Sequence, residues 1–306
     1  VYELLGLPFA QPPLNEKRFQ FPFNLTSTLP TNVYNATYAR DACMQEPDQT
    51  FGAFEGSQMW NPPGGISEDC LYMNIWAPVD KSMDDLFIAE SNKPNDSDMI
   101  PIRFADSSAN KTSMVWIYGG SFNSGTASLS VYSGVVMAAL ENVIVMSANY
   151  RVGPFGFLFL GSQAAPGNAG LADQLRAIEW YKEHYMPLFT AANSSSLTVF
   201  GESAGAMSIH YLMLTQRDYL FNRVILESSS AYLSLAFRQP SDAMMVTYSL
   251  AKAVGCLPNK SNEFCENLSF VNYNLVSFNS SKYCLKEDAY NSQVLDCLLR
   301  KNASDL

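Results

Sequence analysis

Thr198–Val199–Phe200–Gly201–Glu202–Ser203–Ala204–Gly205–Ala206 (TVFGESAGA) is the stretch around which the chain is organised. Leu197, Val199 and Phe200 read as a short buried strand, and the apolar-rich run Ala204 to Leu214 reads as a helix. Between them stands Gly201-x-Ser203-x-Gly205. A strand that turns sharply into a helix leaves no room for a side chain on either flank, so both flanking positions call for glycine. Such a turn holds the Ser203 hydroxyl out at the carboxyl end of a sheet, where the N-terminal N–H groups of the helix point at it. That is the geometry a serine nucleophile needs; the bland alternative is a tight turn with an incidental serine. The spacing predicts a kinked crossover that projects the hydroxyl.

Outward from this stretch, buried strands alternate with amphipathic helices. Strands are expected at Leu71–Trp76, Met114–Tyr118, Asn142–Ala148 and Arg223–Leu226, and helices at Gly170–Tyr185 and Asp242–Val254, the last closed by Gly255. This alternation predicts an α/β fold with a mostly parallel central sheet and helices on both faces. The 306 residues suffice for one large core. Two polar stretches without periodicity, 79–112 and 257–296, read as surface insertions in a single domain.

With 29 acidic against 19 basic residues the net charge is −10, which argues against a nucleic-acid partner and leaves room for attraction of cations. No apolar run is long enough to span a bilayer. Nine Asn-x-Ser/Thr sequons, at Asn24, Asn35, Asn95, Asn110, Asn193, Asn259, Asn267, Asn279 and Asn302, together with six cysteines, point to the secretory route and an extracellular location. The cysteines are Cys43, Cys70, Cys256, Cys265, Cys284 and Cys297, and their spacing alone leaves the pairing open.

Seven segments, LGLPFAQPP (5–13), SEDCLYMNIWAP (67–78), WIYGGSF (116–122), NYRVGPFGFL (149–158), APGNAGLADQ (165–174), FGESAGA (200–206) and RVILESS (223–229), together resemble the type-B carboxylesterase and cholinesterase family of α/β-hydrolases. They run in family order along nearly the whole chain. FGAFEGSQMWNP (51–62) resembles the acetylcholinesterase and butyrylcholinesterase branch. The resemblance implies an α/β-hydrolase fold of which this chain carries the N-terminal portion, and a serine carboxylic-ester hydrolase working through an acyl-enzyme on Ser203.

By the same resemblance the oxyanion of the reaction is held by the backbone N–H groups of Gly120, Ser121 and Ala204. Hydrolytic members usually carry a third glycine where Ser121 stands, and a positive φ there would strain a serine. Trp60 occupies the place that faces the quaternary ammonium of choline, Glu202 is the acid usual beside the nucleophile, and Asp48 matches an acid at the rim. Structural roles compete at each position: a loop-anchoring core tryptophan, a buried hydrogen-bonded acid, an ordinary exposed aspartate. Asn123 and Leu235 replace aromatic residues, which implies a roomier acyl pocket, and the FGGDP usual before the elbow strand is replaced at 189–193.

The family's triad runs serine, acid, histidine along the chain. The two histidines here are His184, expected at the surface, and His210, seven residues after Ser203 on the same helix and about 10 Å along its axis. Neither suits a one-step proton transfer, so the acid and histidine are expected from the remainder of the polypeptide or a second fragment. Cys43–Cys70 and Cys256–Cys297 match the family's first two bridges by position. Cys265 and Cys284 are expected to pair within a glycosylated excursion, with no metal site there and no cofactor. Two functional readings follow: a secreted esterase acting on a small, cationic or related ester, or a catalytically silent adhesion, assembly or carrier relative, as in neuroligins or the thyroglobulin C-terminal domain.

Overall fold

A computed structural model of the chain describes residues 1–25, 34–49, 52, 54–78, 111–186, 196–215, 219–234, 237–257 and 284–306, with the backbone alone for 284–288. Its centre is a six-stranded sheet. The chain enters through β1 (Tyr2–Pro8) and passes the short pair β2 (Ala42–Cys43) and β3 (Ile66–Ser67), then runs through β4 (Tyr72–Ala77), β5 (Ser113–Ile117) and β6 (Ile144–Ala148). After the small pair β7 (Phe159–Ser162) and β8 (Ala165–Pro166) it completes the sheet with β9 (Leu197–Glu202) and β10 (Arg223–Glu227). The order across the sheet is β1-β4-β6-β5-β9-β10. β6, β5, β9 and β10 run parallel, and β1 and β4 add an antiparallel edge.

The parallel strands read as they pack. Every residue of β6 is buried, as a strand covered on both faces requires, whereas β5 buries Ser113, Val115 and Ile117 and half-buries Met114 and Trp116. The helices are α1 (Glu55–Gln58), α2 (Val135–Glu141), α3 (Gly153–Phe157), α4 (Ala169–Trp180), α5 (Ala204–Met213), α6 (Pro240–Ala253) and α7 (Cys284–Leu299). α5 packs on β9, β10 and β5, and α2 on β4 and β6. The expected strands and helices lie where their patterns put them, with ends displaced by a residue or two.

Three expectations change. The 170–185 helix is α-helical only to Trp180; residues 181–185 form a π turn that keeps Tyr181 and Tyr185 both buried, with Tyr181 Oη donating to Ser113 Oγ at 2.7 Å. His184, expected at the surface, is half-buried against Trp180, their ring centroids 3.6 Å apart. The stretch 257–296 is not a surface excursion throughout: α7 buries Val294 and Leu298 in a second core with Phe19, Phe155 and Leu160.

Arg18 fixes that helix to the rest. Its Nε and Nη2 donate to both oxygens of Glu68 at 2.7 Å, and its Nη1 donates to the carbonyls of Leu298 (3.0 Å) and Lys301 (2.8 Å) at the end of α7. The Arg18 carbonyl accepts from Arg151 Nη1, and Arg151 makes a fully buried bidentate pair with Asp173. The disulfides Cys43–Cys70 and Cys256–Cys297 are formed as the resemblance implied. Asn24, Asn35 and Asn302 are exposed, as glycan acceptors must be. Cys265, the side chain of Cys284, Asn95, Asn110, Asn193, Asn259, Asn267, Asn279, Leu235, residues 189–193 and almost all of the 79–112 insertion lie outside the described residues.

Candidate active site

The strand β9 delivers Ser203 to the carboxyl edge of the sheet, and α5 starts at the next residue. Ser203 has φ 54° and ψ −119°, a conformation that L-residues avoid. The surroundings hold it there. Its N–H donates to the Glu227 carbonyl of neighbouring β10 at 3.0 Å, and its carbonyl accepts the first bond of the helix from Met207 at 3.0 Å. The two flanking glycines touch backbone of the adjoining β5: a Cβ on Gly201 would lie 2.5 Å from the Ile117 carbonyl oxygen, and one on Gly205 only 2.0 Å. The glycines at both flanks are therefore a steric requirement. Ser203 itself is half-buried, so its side chain is not sealed inside the core.

The segment leaving β5 lies directly against this turn. A Cβ on Gly119 would come 3.1 Å from Ser203 Cβ and 2.8 Å from the Glu202 carbonyl oxygen. Gly120 (φ 119°), Ser121 (φ 55°) and Phe122 (φ 62°) follow in left-handed backbone. The Gly120 carbonyl accepts from Asn123 N (2.9 Å) and Ser124 N (3.1 Å), closing the turn. Among the described residues, neither the Gly120 nor the Ser121 amide has a protein acceptor. Ser121 thus stands at a position of positive φ with a side chain attached, the circumstance anticipated from its sequence.

Residues that the sequence did not single out brace the loop. Gln45, two places after the Cys43 bridgehead, clasps Gly125 from both sides: Nε2 donates to its carbonyl and Oε1 accepts from its N–H, each at 2.8 Å. Tyr118 and Tyr150 stack with centroids 4.4 Å apart; Tyr118 Oη donates to the Tyr150 carbonyl at 3.0 Å and Tyr150 Oη to the Tyr118 carbonyl at 2.9 Å. Burial drives both phenols' pKa values up, so both stay protonated donors. Buried Asn149 accepts from Thr126 Oγ1 and Ala127 N and donates to the Asp41 carbonyl.

Glu202, half-buried, places its Oε2 within 3.1 Å of where a Gly119 Cβ would sit. It also faces Tyr132, whose phenol is pushed up first by burial and then by the Glu202 charge. Tyr132 in turn packs on Trp116, at 5.1 Å between centroids, and Trp116 on Phe200 at 5.0 Å.

Trp60 and Asp48 share the Cys43–Cys70 loop. Asn61, next to Trp60, accepts from Asp48 N at 2.7 Å and donates to its carbonyl at 3.0 Å, so the two positions are tied together. Trp60 is 51% exposed and Asp48 is exposed. Among the described residues, Trp60 is therefore not part of the buried core. No described contact joins this pair to Ser203. His210 is engaged elsewhere: its Nδ1 accepts from Ala231 N at 3.3 Å and its ring meets Tyr232 edge-on. A cleft of about 780 Å³ opens beside Ser121, Phe122 and Asn123, and Ser203 does not line it. Among the described residues no group of three acidic, histidine or cysteine side chains could hold a metal ion, and no helix is long and apolar enough to cross a membrane.

Comparison with known proteins fits this geometry. The chain is 43% identical to the cholinesterase of Mus musculus over 265 residues, 86% of this chain and 39% of that protein. It is 41% identical to the acetylcholinesterase of Bungarus fasciatus over 265 residues (86% and 39%) and 40% identical to the acetylcholinesterase of Danio rerio over 276 residues (88% and 38%). The chain therefore spans about two fifths of the length of these curated relatives. Residues 1–304 match the model of the carboxylesterase family. With that match over an elbow, a glycine loop and a sheet built in this way, the chain belongs to the carboxylesterase family.

Proposed function

We propose that the protein carrying this chain is a secreted serine carboxylic-ester hydrolase of cholinesterase type, with Ser203 as the acyl-accepting nucleophile. The observation that carries this reading is the positive-φ Ser203 held against Gly119 at the strand–helix turn. Ser203 Oγ attacks the ester carbonyl carbon and its proton passes to a base. The carbonyl oxygen becomes an oxyanion facing the amides of Gly120, Ser121 and Ala204, each donor worth about 3 kcal/mol of barrier. Collapse releases the alcohol with a proton from the same base, and water then cleaves the acyl-serine. On this reading the base and its orienting acid come from outside residues 1–306, since His210 is committed to Ala231 and His184 to Trp180.

The half-exposed Trp60 supplies a face for a methylated cation, an attraction on the order of 2 kcal/mol when desolvated. Asp48, tied to it through Asn61, and Glu202 add negative charge for the same cation. A choline ester or related small ester is the substrate class. The sequons and the two disulfides support secretion.

A fluorophosphonate probe on the full-length protein tests the nucleophile. The expected result is one adduct on Ser203, absent in Ser203→Ala. No adduct on the folded protein leaves the silent, adhesion-type reading, which the left-handed serine at Ser121 favours. For Trp60, acetylthiocholine turnover is compared with that of a neutral thioester: Trp60→Ala is expected to lower the first selectively. Equal rates unchanged by the substitution would remove the choline claim.

A further inference from the structure

The glycine loop is shaped from within and held in place from outside. Within it, the Gly120 carbonyl takes both the Asn123 and the Ser124 N–H. Gly125 (φ 117°) then folds back on the start of the loop: a Cβ there would lie 2.8 Å from the Gly119 carbonyl oxygen and 2.5 Å from the Tyr118 ring. Gly119 in turn abuts the elbow, since its own Cβ would lie 3.1 Å from Ser203 Cβ. Gly125, Gly119 and Ser203 therefore stand in series. No side chain cushions the two glycines, so a shift of the first is passed on toward the last.

Gln45 grips Gly125 from a distant part of the chain, and every polar contact of its amide serves that grip. Nε2 donates to the Gly125 carbonyl at 2.8 Å and to the Cys43 carbonyl at 3.0 Å, while Oε1 accepts from Gly125 N at 2.8 Å. Turned over, the same amide would set its oxygen against two carbonyls and its NH2 against an N–H, so one orientation is enforced. Cys43 is buried and bonded to Cys70, which gives the grip a fixed base. Two bonds to one residue's N–H and carbonyl fix its orientation as well as its position.

We propose that Gln45 is a positioning residue for the ester reaction, setting the Gly120 and Ser121 amides where the oxyanion forms. It touches no reacting atom, and the proposal rests on the reading of Ser203 as the nucleophile. Without the grip the return of the loop drifts, and a displacement of about 1 Å at such a donor costs on the order of 100-fold in rate. Stability changes little, because Gln45 and Gly125 are both half-buried and water can replace the lost bonds.

The test uses the full-length protein and two variants. Gln45→Met keeps the unbranched bulk and loses the amide; Gln45→Glu keeps an acceptor for Gly125 N and loses the donor. In both, fluorophosphonate labelling of Ser203 is expected to slow by about tenfold or more. Turnover of acetylthiocholine and of a neutral thioester should lose kcat by the same factor as each other, because the oxyanion is common to both, with KM changed by less than about twofold. A trifluoromethyl ketone reports the oxyanion directly. Ser203 Oγ adds to its carbonyl carbon, the serine proton passes to the base, and the carbonyl oxygen becomes the oxyanion; its affinity should fall in step with kcat/KM. Thermal unfolding is measured alongside and is expected to stay near the parent's; if Gln45→Met fails to fold, Gln45→Glu carries the comparison. A merely structural brace would move the unfolding midpoint and leave ketone affinity and kcat alone. Parent-like labelling in a folded variant, a loss confined to KM, or unchanged ketone affinity would each overturn the proposal. No label on the folded parent would remove the Ser203 reading, and this one with it.

Discussion

Ser121 shows what one side chain costs in the wrong backbone region. At φ 55° its Cβ crowds the backbone, whereas glycine is indifferent there. Glycine in turn loses more entropy on folding, so Ser121→Gly is expected to stabilise by a net 0.5 to 1 kcal/mol or about 2 °C in Tm. If the serine also misshapes the loop, the same change raises the rate of fluorophosphonate labelling at Ser203; a fall in both Tm and labelling would show that the hydroxyl contributes something glycine cannot. His184 makes a pH-dependent contribution. Desolvation against Trp180 lowers its pKa from the ordinary 6.5, with nearby Arg176 acting in the same direction and Glu183 opposing. The unfolded chain therefore binds the proton more readily, and stability falls as pH drops below about 6.5 until the folded form is protonated too. Urea midpoints between pH 7.5 and 5 are expected to decline less steeply in His184→Gln than in the parent, and identical slopes would show that the imidazole is solvated in both states.

At the scale of elements, the turn from β9 into α5 and the docking of α7 are held in different ways. The turn relies on absent atoms. In Gly205→Ala the new methyl would meet the Ile117 carbonyl oxygen at 2.0 Å and the Tyr118 carbonyl oxygen at 3.0 Å, both backbone of β5 and its exit, which cannot move without breaking the sheet. A loss of about 3 kcal/mol is expected from urea unfolding, together with loss of Ser203 labelling. The end of α7 relies on one present side chain, Arg18, whose removal frees the Leu298 and Lys301 carbonyls and the Glu68 carboxylate together. Hydrogen exchange in α7 is expected to rise first in Arg18→Ala, ahead of the central strands. The difference in mechanism also explains what could be read in advance. The elbow, the parallel strands and the family were legible because a glycine bracket and a buried β run are local patterns. The clasp of Gln45 on Gly125, 80 residues apart, and the facing of Tyr132 to Glu202 arise only when distant strands meet. α7 carries a weak helical pattern because polar Asn291 is buried on the same face as Val294, Leu295 and Leu298.

Across the whole molecule, the large-scale property with functional reach is charge. An excess of ten negative charges creates a field that draws cations and repels anions over roughly a Debye length, about 10 Å at 0.1 M salt. On the proposed function, the exposed Asp48, tied through Asn61 to the exposed Trp60, would place part of that charge where a choline ester first arrives. On that reading the contribution is to encounter and not to the chemical step, so it would belong in kcat/KM and fade as salt screens it. Raising ionic strength from about 10 to 200 mM is expected to lower kcat/KM for acetylthiocholine several-fold while leaving a neutral thioester of the same acyl group nearly unchanged. Asp48→Asn should flatten the cationic curve without touching the neutral one. Charge elsewhere on the surface would give the same salt slope in that variant as in the parent, and parallel curves for both substrates would mean that the acidic excess serves solubility alone.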